Sequence, residues 1–161
     1  MSRLDATDLR ILATLQRRGR ITKTALAEEV HLSPTPCWER LKRLEQAGLI
    51  KGYHALIDLD RLGATNTVLV EITLKQHRYE DFQRFEVAIR AVPEIIEAHA
   101  TGGGIDYLLK VVVPDIDTYQ RLIDRLLLQE IGIDRYFTYI VTRTVKSAPQ
   151  PPVELIARAS G

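Results

Sequence analysis

The chain has 161 residues, 45% of them hydrophobic, with 22 Lys and Arg against 21 Asp and Glu. That apolar content supports a packed core and excludes wholesale disorder, while the length allows one domain or two small ones. A single cysteine, Cys37, excludes an internal disulfide and fits a reducing cytoplasm. No apolar run approaches the roughly 18 residues of a membrane span, and Met1-Ser2-Arg3-Leu4-Asp5 lacks the apolar core of a signal peptide. The expectation is a soluble, cytoplasmic protein with no membrane partner.

The charge is unevenly spread. Residues 1–50 hold nine basic residues (Arg3, Arg10, Arg17, Arg18, Arg20, Lys23, Arg40, Lys42, Arg43) against six acidic ones, and the remainder holds thirteen against fifteen. A net of +3 followed by −2 fits nucleic-acid binding by the first part alone, although an excess of three charges also arises by chance.

In chain order, Asp5 or Thr7 caps a first helix whose Leu9, Ile11, Leu12 and Leu15 recur at helical spacing, with Gly19 ending it. Thr22 caps a short second helix with Leu26, Ala27 and Val30 on one side. Ser33 opens a third, where Pro34 stands at the first helical position and Pro36 is still within the first turn, so neither removes an intrahelical bond. Cys37, Leu41 and Leu44 share a face that packs on the first two helices, and Gly48 stops the helix. Leu49 to Leu56 reads as a short strand or ribbon. Trp38 sits one position from the Cys37 face, so it either completes the core, the favoured reading, or projects towards DNA or a partner. Cys37 reads as a small thiol facing the core rather than a nucleophile.

Three helices with this turn are how a helix-turn-helix reads, the second of the pair lying in the major groove. The start of such a helix approaches base edges and points N–H groups at phosphate. The candidate DNA contacts are therefore Ser33, Thr35, Pro36, Glu39, Arg40 and Arg43, the hydroxyls donating to phosphate or bases and the arginines reaching backbone or guanine. The competing reading is that both arginines only solubilise the helix, with Arg40 bridged to a neighbouring carboxylate.

After a polar connection over 58–66, broken by Gly63, Val68, Val70, Ile72 and Leu74 alternate as a half-buried strand. Phe82, Phe85, Ile89 and Val92 recur at helical spacing up to Pro93. Two strands follow, Ile95 to Ala100 and Ile105 to Val113, joined at Gly102-Gly103-Gly104. Then come a helix from Ile116 to Leu128, with Tyr119, Leu122, Ile123 and Leu126 inward, and a strand from Tyr136 to Val145. This β-α-β-β-α-β order is the ferredoxin-like split unit. Its helices cover one sheet face, so alternate-register residues such as Leu69 predict sheet-to-sheet dimerisation. In the tail, Pro149, Pro151 and Pro152 bar a continuous element, and a terminal helix from Val153 to Ala159 is an open expectation.

The three glycines suggest a phosphate cradle, but that needs a following helix, whereas a strand follows, so a hairpin turn is the expectation. Asp106 and Tyr107 then stand at the mouth of an apolar strand, where glycine N–H groups and a carboxylate suit a small zwitterion, and a side chain at Gly102 or Gly104 should crowd the pocket. The four histidines, His31, His54, His77 and His99, fall in separate segments without metal-ligand spacing. His99 and Asp106 could meet across the hairpin, yet one pair without a nucleophile or third ligand is weak support for an enzyme. No catalytic residue, metal site or cofactor is assigned.

Two separated motifs bring a family into view. Leu4-Asp5, Asp8 and Ile11-Leu12 resemble the opening motif of the Lrp/AsnC feast/famine transcription regulators, and Leu32-Ser33, Arg40-Leu41, Leu44-Glu45, Gly48 and Ile50 its recognition-helix pattern. Gly104, Asp106, Tyr107 and Leu108 resemble its Gly-x-x-Asp-Tyr signature, with more glycine than usual, and Val145-Lys146 the end of its last strand. The resemblance spans roughly residues 3–146. Trp38 departs from the aliphatic residue common at its position.

The resemblance implies an α+β chain: a (winged) helix-turn-helix domain over 1–52, a ribbon or linker over 53–66, a ferredoxin-like effector-binding and oligomerisation domain over 67–146, and a tail over 147–161. It implies a homodimer assembling to an octamer, and an amino-acid or related effector near the hairpin, contacted by Gly102, Gly104 and Asp106, with Thr101 and Thr138 beside it. The resulting expectation is a cytoplasmic, nucleoid-associated, sequence-specific regulator whose partners are double-stranded DNA and a small molecule. The rival readings are an architectural protein coating DNA without effector and, further off, a small ferredoxin-like enzyme.

Overall fold

The computed structural model describes residues 4–148 and 150–158; Pro149 and Ala159, named above for the tail, lie outside the described residues. The chain divides into two compact units, Met1–Ile57 with Lys146–Gly161, and Asp58–Val145.

In the first unit, α1 (Ala6–Arg17) starts at Asp5, whose carboxylate accepts from the backbone of Thr7 and Asp8, while Asp8 accepts in return from Asp5 N at 3.2 Å. This reciprocal box satisfies N–H groups that have no partner within the helix. Helix α2 (Lys23–Glu29) is capped by Thr22, and α3 (Pro34–Gln46) begins after Ser33, whose side chain makes no cap bond. Between α2 and α3 the chain turns through His31 at φ 57°, a left-handed conformation that costs a side-chain-bearing residue energy. Gly48, at φ 69°, does the same after α3 without that cost, and Leu49 N returns to Leu44 O at 3.1 Å. Ile11, Leu26, Ala27, Val30, Cys37, Leu41 and Leu44 form the core between the three helices.

Residues 49–57 carry no strand, which corrects the expectation of one from Leu49 to Leu56. A ribbon needs a neighbouring strand for its backbone groups, and this single chain supplies none there; Leu56 and Ile57 stay exposed. The tail returns to α1. Gln16 Nε2 donates to Pro151 O at 3.1 Å, its Oε1 accepts from Val153 N at 2.9 Å, and the short α6 (Val153–Arg158) follows.

The second unit opens with a single 3-10 turn, Leu59–Arg61, inside the polar connection. It continues as β1 (Asn66–Leu74), α4 (Tyr79–Arg90), β2 (Ile95–Ala100), β3 (Tyr107–Val113), α5 (Ile116–Leu128) and β4 (Ile133–Ile140). The sheet is antiparallel in the order β2-β3-β1-β4, which is the ferredoxin-like βαββαβ arrangement. One face buries Val68, Val70, Ile72, Leu109 and Val111 against Phe85, Ile89, Leu122 and Leu126 of the two helices. The other face carries Leu69 opposite Tyr139 and Glu71 opposite Phe137, with Phe137 and Tyr139 about half exposed.

Strand β4 runs three residues earlier and ends five earlier than the Tyr136–Val145 expected from its pattern. Its limits are set by its partner. Leu74 pairs with Ile133 and Val68 with Ile140, and after Val141 N donates to Thr67 O, β1 has only Asn66 left.

Candidate DNA interface and effector site

Helix α3 divides into three longitudinal stripes, because neighbours along an α-helix turn by about 100°. Cys37, Leu41 and Leu44 are buried. Thr35, Trp38, Glu39 and Lys42 are exposed and fall within an arc of about 100° on the opposite side. Ser33 is exposed at the helix entrance and Pro36 half-buried beside it. Arg40 and Arg43 lie between the two stripes, turned towards α1.

Both arginines are engaged there. Arg40 Nη1 donates to Asp5 Oδ2 at 2.6 Å and to Asp8 Oδ1 at 2.9 Å. Arg43 Nη2 donates to both oxygens of Asp8, each at 2.7 Å. The Asp8 side chain is 1% exposed, that of Arg40 30% and that of Arg43 51%. A buried carboxylate needs such partners, since unpaired it would retain the full cost of leaving water. The backbone N–H of Asp8, then the Arg40 guanidinium, hold the Asp5 carboxyl below its ordinary 3.8. The carboxylate bridge is thus the arrangement observed for Arg40, and Arg43 shares it.

Trp38 is 38% exposed and belongs to neither core cluster, which corrects the core reading. It projects from the open stripe, and Lys23, the first residue of α2, sets its Nζ 3.2 Å from the indole centroid. The sequence gives no sign of that pairing, because the two residues are fifteen apart on different helices. Cys37 is buried as expected, and burial pushes its thiol up from its ordinary 9.0.

At the other candidate site, Thr101, Gly102, Gly104 and Asp106 share the β2–β3 hairpin. Thr101 N donates to Asp106 O at 2.9 Å, and Thr101 Oγ1 to Ile105 O at 2.7 Å. Asp106 N donates to Ile72 O at 2.9 Å, while Asp106 Oδ2 accepts from Leu74 N at 2.7 Å and lies 3.1 Å from His77 Nε2. The histidine beside Asp106 is therefore His77 and not His99, which faces Glu97. Of the three hairpin glycines only Gly103 has a positive φ, 134°, and a Cβ on Gly102 or Gly104 would meet nothing within 4 Å. The crowding expected there is not produced by this chain. Thr138 stands apart on β4, opposite Val70, and shares a 2.5 Å hydrogen bond with Tyr119 of α5.

Tyr107, next to Asp106, is 3% exposed and donates to Glu86 Oε1 at 3.1 Å. Burial, aided by that carboxylate, pushes its phenol up to about 12. Two open concavities of about 390 and 290 Å³ lie at the α5–β4 turn and between α4 and β2. Neither is lined by Thr101, Gly102, Gly104, Asp106 or Thr138. Among the described residues no helix is long and apolar enough to cross a membrane, and no group of three or more His, Cys, Asp or Glu could hold a metal ion.

Comparison with known proteins places these features. The pattern of the winged helix-turn-helix DNA-binding domain matches residues 4–51, and that of the Lrp/AsnC ligand binding domain residues 67–151. The chain is 55% identical over 144 residues to the transcriptional regulatory protein DoeX of Halomonas elongata, covering 89% of this chain and 91% of that one. It is 43% identical over 145 residues to the leucine-responsive regulatory protein of Escherichia coli K12, covering 90% and 88%. Among solved structures it resembles a Neisseria meningitidis transcriptional regulator in complex with L-Met, at 30% identity and a TM-score of 0.89 over 96% and 99% of the two chains. It also resembles an AsnC family regulator from Agrobacterium tumefaciens, at 33% identity and 0.88 over 95% and 99%. With both domain patterns present in order and relatives matched along nine-tenths of its length, the chain belongs to the Lrp/AsnC family of transcriptional regulators, a helix-turn-helix DNA-binding domain joined to a ferredoxin-like ligand-binding domain.

Proposed function

We propose that this regulator binds double-stranded DNA sequence-specifically through residues 1–52 and answers to an amino acid or a close derivative held at the β2–β3 hairpin. The observation that carries the first half is the exposed stripe of α3, directly opposite its buried one. Thr35 and Glu39 enter the major groove from that stripe, with Ser33 and Pro36 beside them at the helix entrance. Arg40 and Arg43 set the helix on α1 through Asp5 and Asp8, and their outer N–H groups reach phosphate at the groove's edge. Residues 53–66 link this domain to the sensing domain over 67–146, and residues 147–161 form the tail. The protein works in the cytoplasm, on the nucleoid, and performs no catalytic step.

The second half rests on the hairpin. Backbone N–H groups of Gly102 and Gly104 hold a carboxylate, and Asp106, whose two bonds both fall on Oδ2, offers Oδ1 to an ammonium. Thr101 and Thr138 border the ligand. The amino-acid class is supported by two relatives, one named leucine-responsive and one solved with L-Met. Neither of the two concavities described above is lined by these residues, and in this reading a second dimer completes the site. The sheet face with Leu69, Phe137 and Tyr139 makes the homodimer, and dimers assemble to an octamer.

The test is footprinting and fluorescence anisotropy on the promoter fragments the protein selects, with and without each amino acid. Discrete protected sites and a ligand-dependent midpoint are expected. Uniform coverage indifferent to every amino acid would show a DNA-coating protein instead.

A further inference from the structure

Trp38 is a large apolar side chain left on the surface of α3 and part of neither core cluster. Its neighbours on the open stripe are Thr35, Glu39 and Lys42, all exposed. The basic residues expected to dominate the interface, Arg40 and Arg43, are drawn aside by Asp5 and Asp8. The stripe that remains is therefore poor in guanidinium groups, and an indole forms one edge of it.

That indole is also held. Lys23 stands over its face with Nζ 3.2 Å from the centroid, an electrostatic contact between a cation and the negative face of the ring. Covering one face by a cation holds the ring plane and leaves the opposite face and the ring edge open to a partner. A free surface tryptophan would sample several rotamers, and ordering it on binding would cost conformational entropy. Here that ordering precedes binding.

The chemistry such an edge recognises in a major groove is narrow. All four bases present hydrogen-bonding groups there, and thymine alone adds to its O4 acceptor a C5-methyl group. Apart from its single Nε1–H donor an indole edge is carbon, and that carbon edge pressed on a polar base edge would strip it of water without replacing the bonds. An indole edge pressed on a methyl group loses nothing and removes apolar surface from water.

We propose that Trp38 is the specificity-determining residue of the DNA interface, reading the C5-methyl group of a thymine, and that Lys23 is the residue that positions it. The proposal rests on the DNA-binding reading and adds to it which base is read, by which residue, and through which atoms.

The experiment uses the full chain. A preferred duplex is selected from a random library by the wild-type protein, and each thymine in it is then replaced singly by uracil, which deletes the C5-methyl and nothing else. One replacement should weaken the wild-type protein roughly three- to fivefold, the value of one buried methyl-sized group. The same replacement should leave Trp38→Ala unaffected, that variant having already lost affinity for the unmodified duplex. Lys23→Met, which keeps the stem but not the charge, should show a smaller uracil effect, with melting temperatures of all three proteins alike. If no replacement affects the wild type, or if the loss persists undiminished in Trp38→Ala, the proposal is overturned while the DNA-binding reading stands. If the wild-type protein enriches no sequence at all, the DNA-binding reading fails first.

Discussion

Arg43 donates from a single nitrogen, Nη2, to both carboxylate oxygens of Asp8, 2.7 Å from each, although the two residues stand on different helices and 35 positions apart. Asp8 is also the residue that completes the cap of α1 by accepting from Asp5 N. One buried acid therefore fixes both the start of α1 and the angle at which α3 crosses it. Asp8→Ala should destabilise the chain by about 2–4 kcal/mol, short of the roughly 3–5 of a fully buried pair because Arg43 is half exposed. The variant should also lose operator affinity, since α3 is no longer held. Urea denaturation of the full chain measures the first effect, and a loss below about 0.5 kcal/mol would refute the clamp.

Acid should loosen the fold through a small set of carboxylates. Asp5 is held below its ordinary 3.8 by the Asp8 N–H and by Arg40, Asp115 by the Thr118 hydroxyl and N–H, and Glu97 below 4.5 by Lys110 and then His99. Each binds its proton more weakly folded than unfolded, so its contribution is complete above the ordinary value and is lost as pH falls through the folded one. Melting temperature should therefore be flat near neutrality and fall below about pH 4.5. Asp5→Asn with Asp115→Asn keeps both caps as acceptors but removes two of the titrations, and its acid limb should be shallower. Superimposable profiles would show that other groups drive the acid response.

What could be read from the sequence was what local pattern decides. Helix α5, Ile116–Leu128, and strand β2, Ile95–Ala100, have the boundaries their periodicity gives, because a capping Asp115 and the glycines after Ala100 mark their ends. Strand β4 and the segment 49–56 were misjudged because strand limits belong to the pair, not to the strand. The core was the favoured of two readings for Trp38 because a helix wheel resolves a side chain's direction only to about one position. The links Arg43–Asp8 and His77–Asp106 join residues 35 and 29 apart in sequence, and no local spacing encodes them. One signal for the first was present: Asp8 shares a helical stripe with Ile11 and Leu15, and a carboxylate on an apolar stripe requires a cation across from it.

The uncovered sheet face predicts an assembly that one charge should break. Phe137 and Tyr139 are 53% and 49% exposed, beside Leu69 and Leu108, while Glu71 is bonded to Tyr139 at 3.2 Å. Apolar surface of this extent on a helix-covered sheet needs a partner. Phe137→Glu should shift light-scattering mass from a multiple of the dimer towards the monomer, with the βαββαβ core intact because Phe137 points away from it. A variant that keeps the wild-type mass at micromolar concentration would place the dimer contact elsewhere.

Asp106 ties the hairpin to its surroundings, and a pair of variants separates that task from the proposed contact with an effector. Its Oδ2 accepts from Leu74 N at 2.7 Å and faces His77 at 3.1 Å, which ties the hairpin to the end of β1. Asp106→Ala removes that acceptor and should cost about 1–2 kcal/mol of stability, the value of a lost bond to a charged group at a part-buried site. Asp106→Asn keeps an acceptor for Leu74 N but carries no charge, so it should stay close to wild type in stability. If the carboxylate pairs with an effector ammonium, Asp106→Asn should still lose roughly tenfold or more in effector affinity, the scale of a charge-assisted bond. Calorimetric titration of the folded Asp106→Asn protein with the amino acid that shifts wild-type DNA binding decides between the tasks. Wild-type affinity in that variant would leave Asp106 a structural residue and move the effector site off the hairpin.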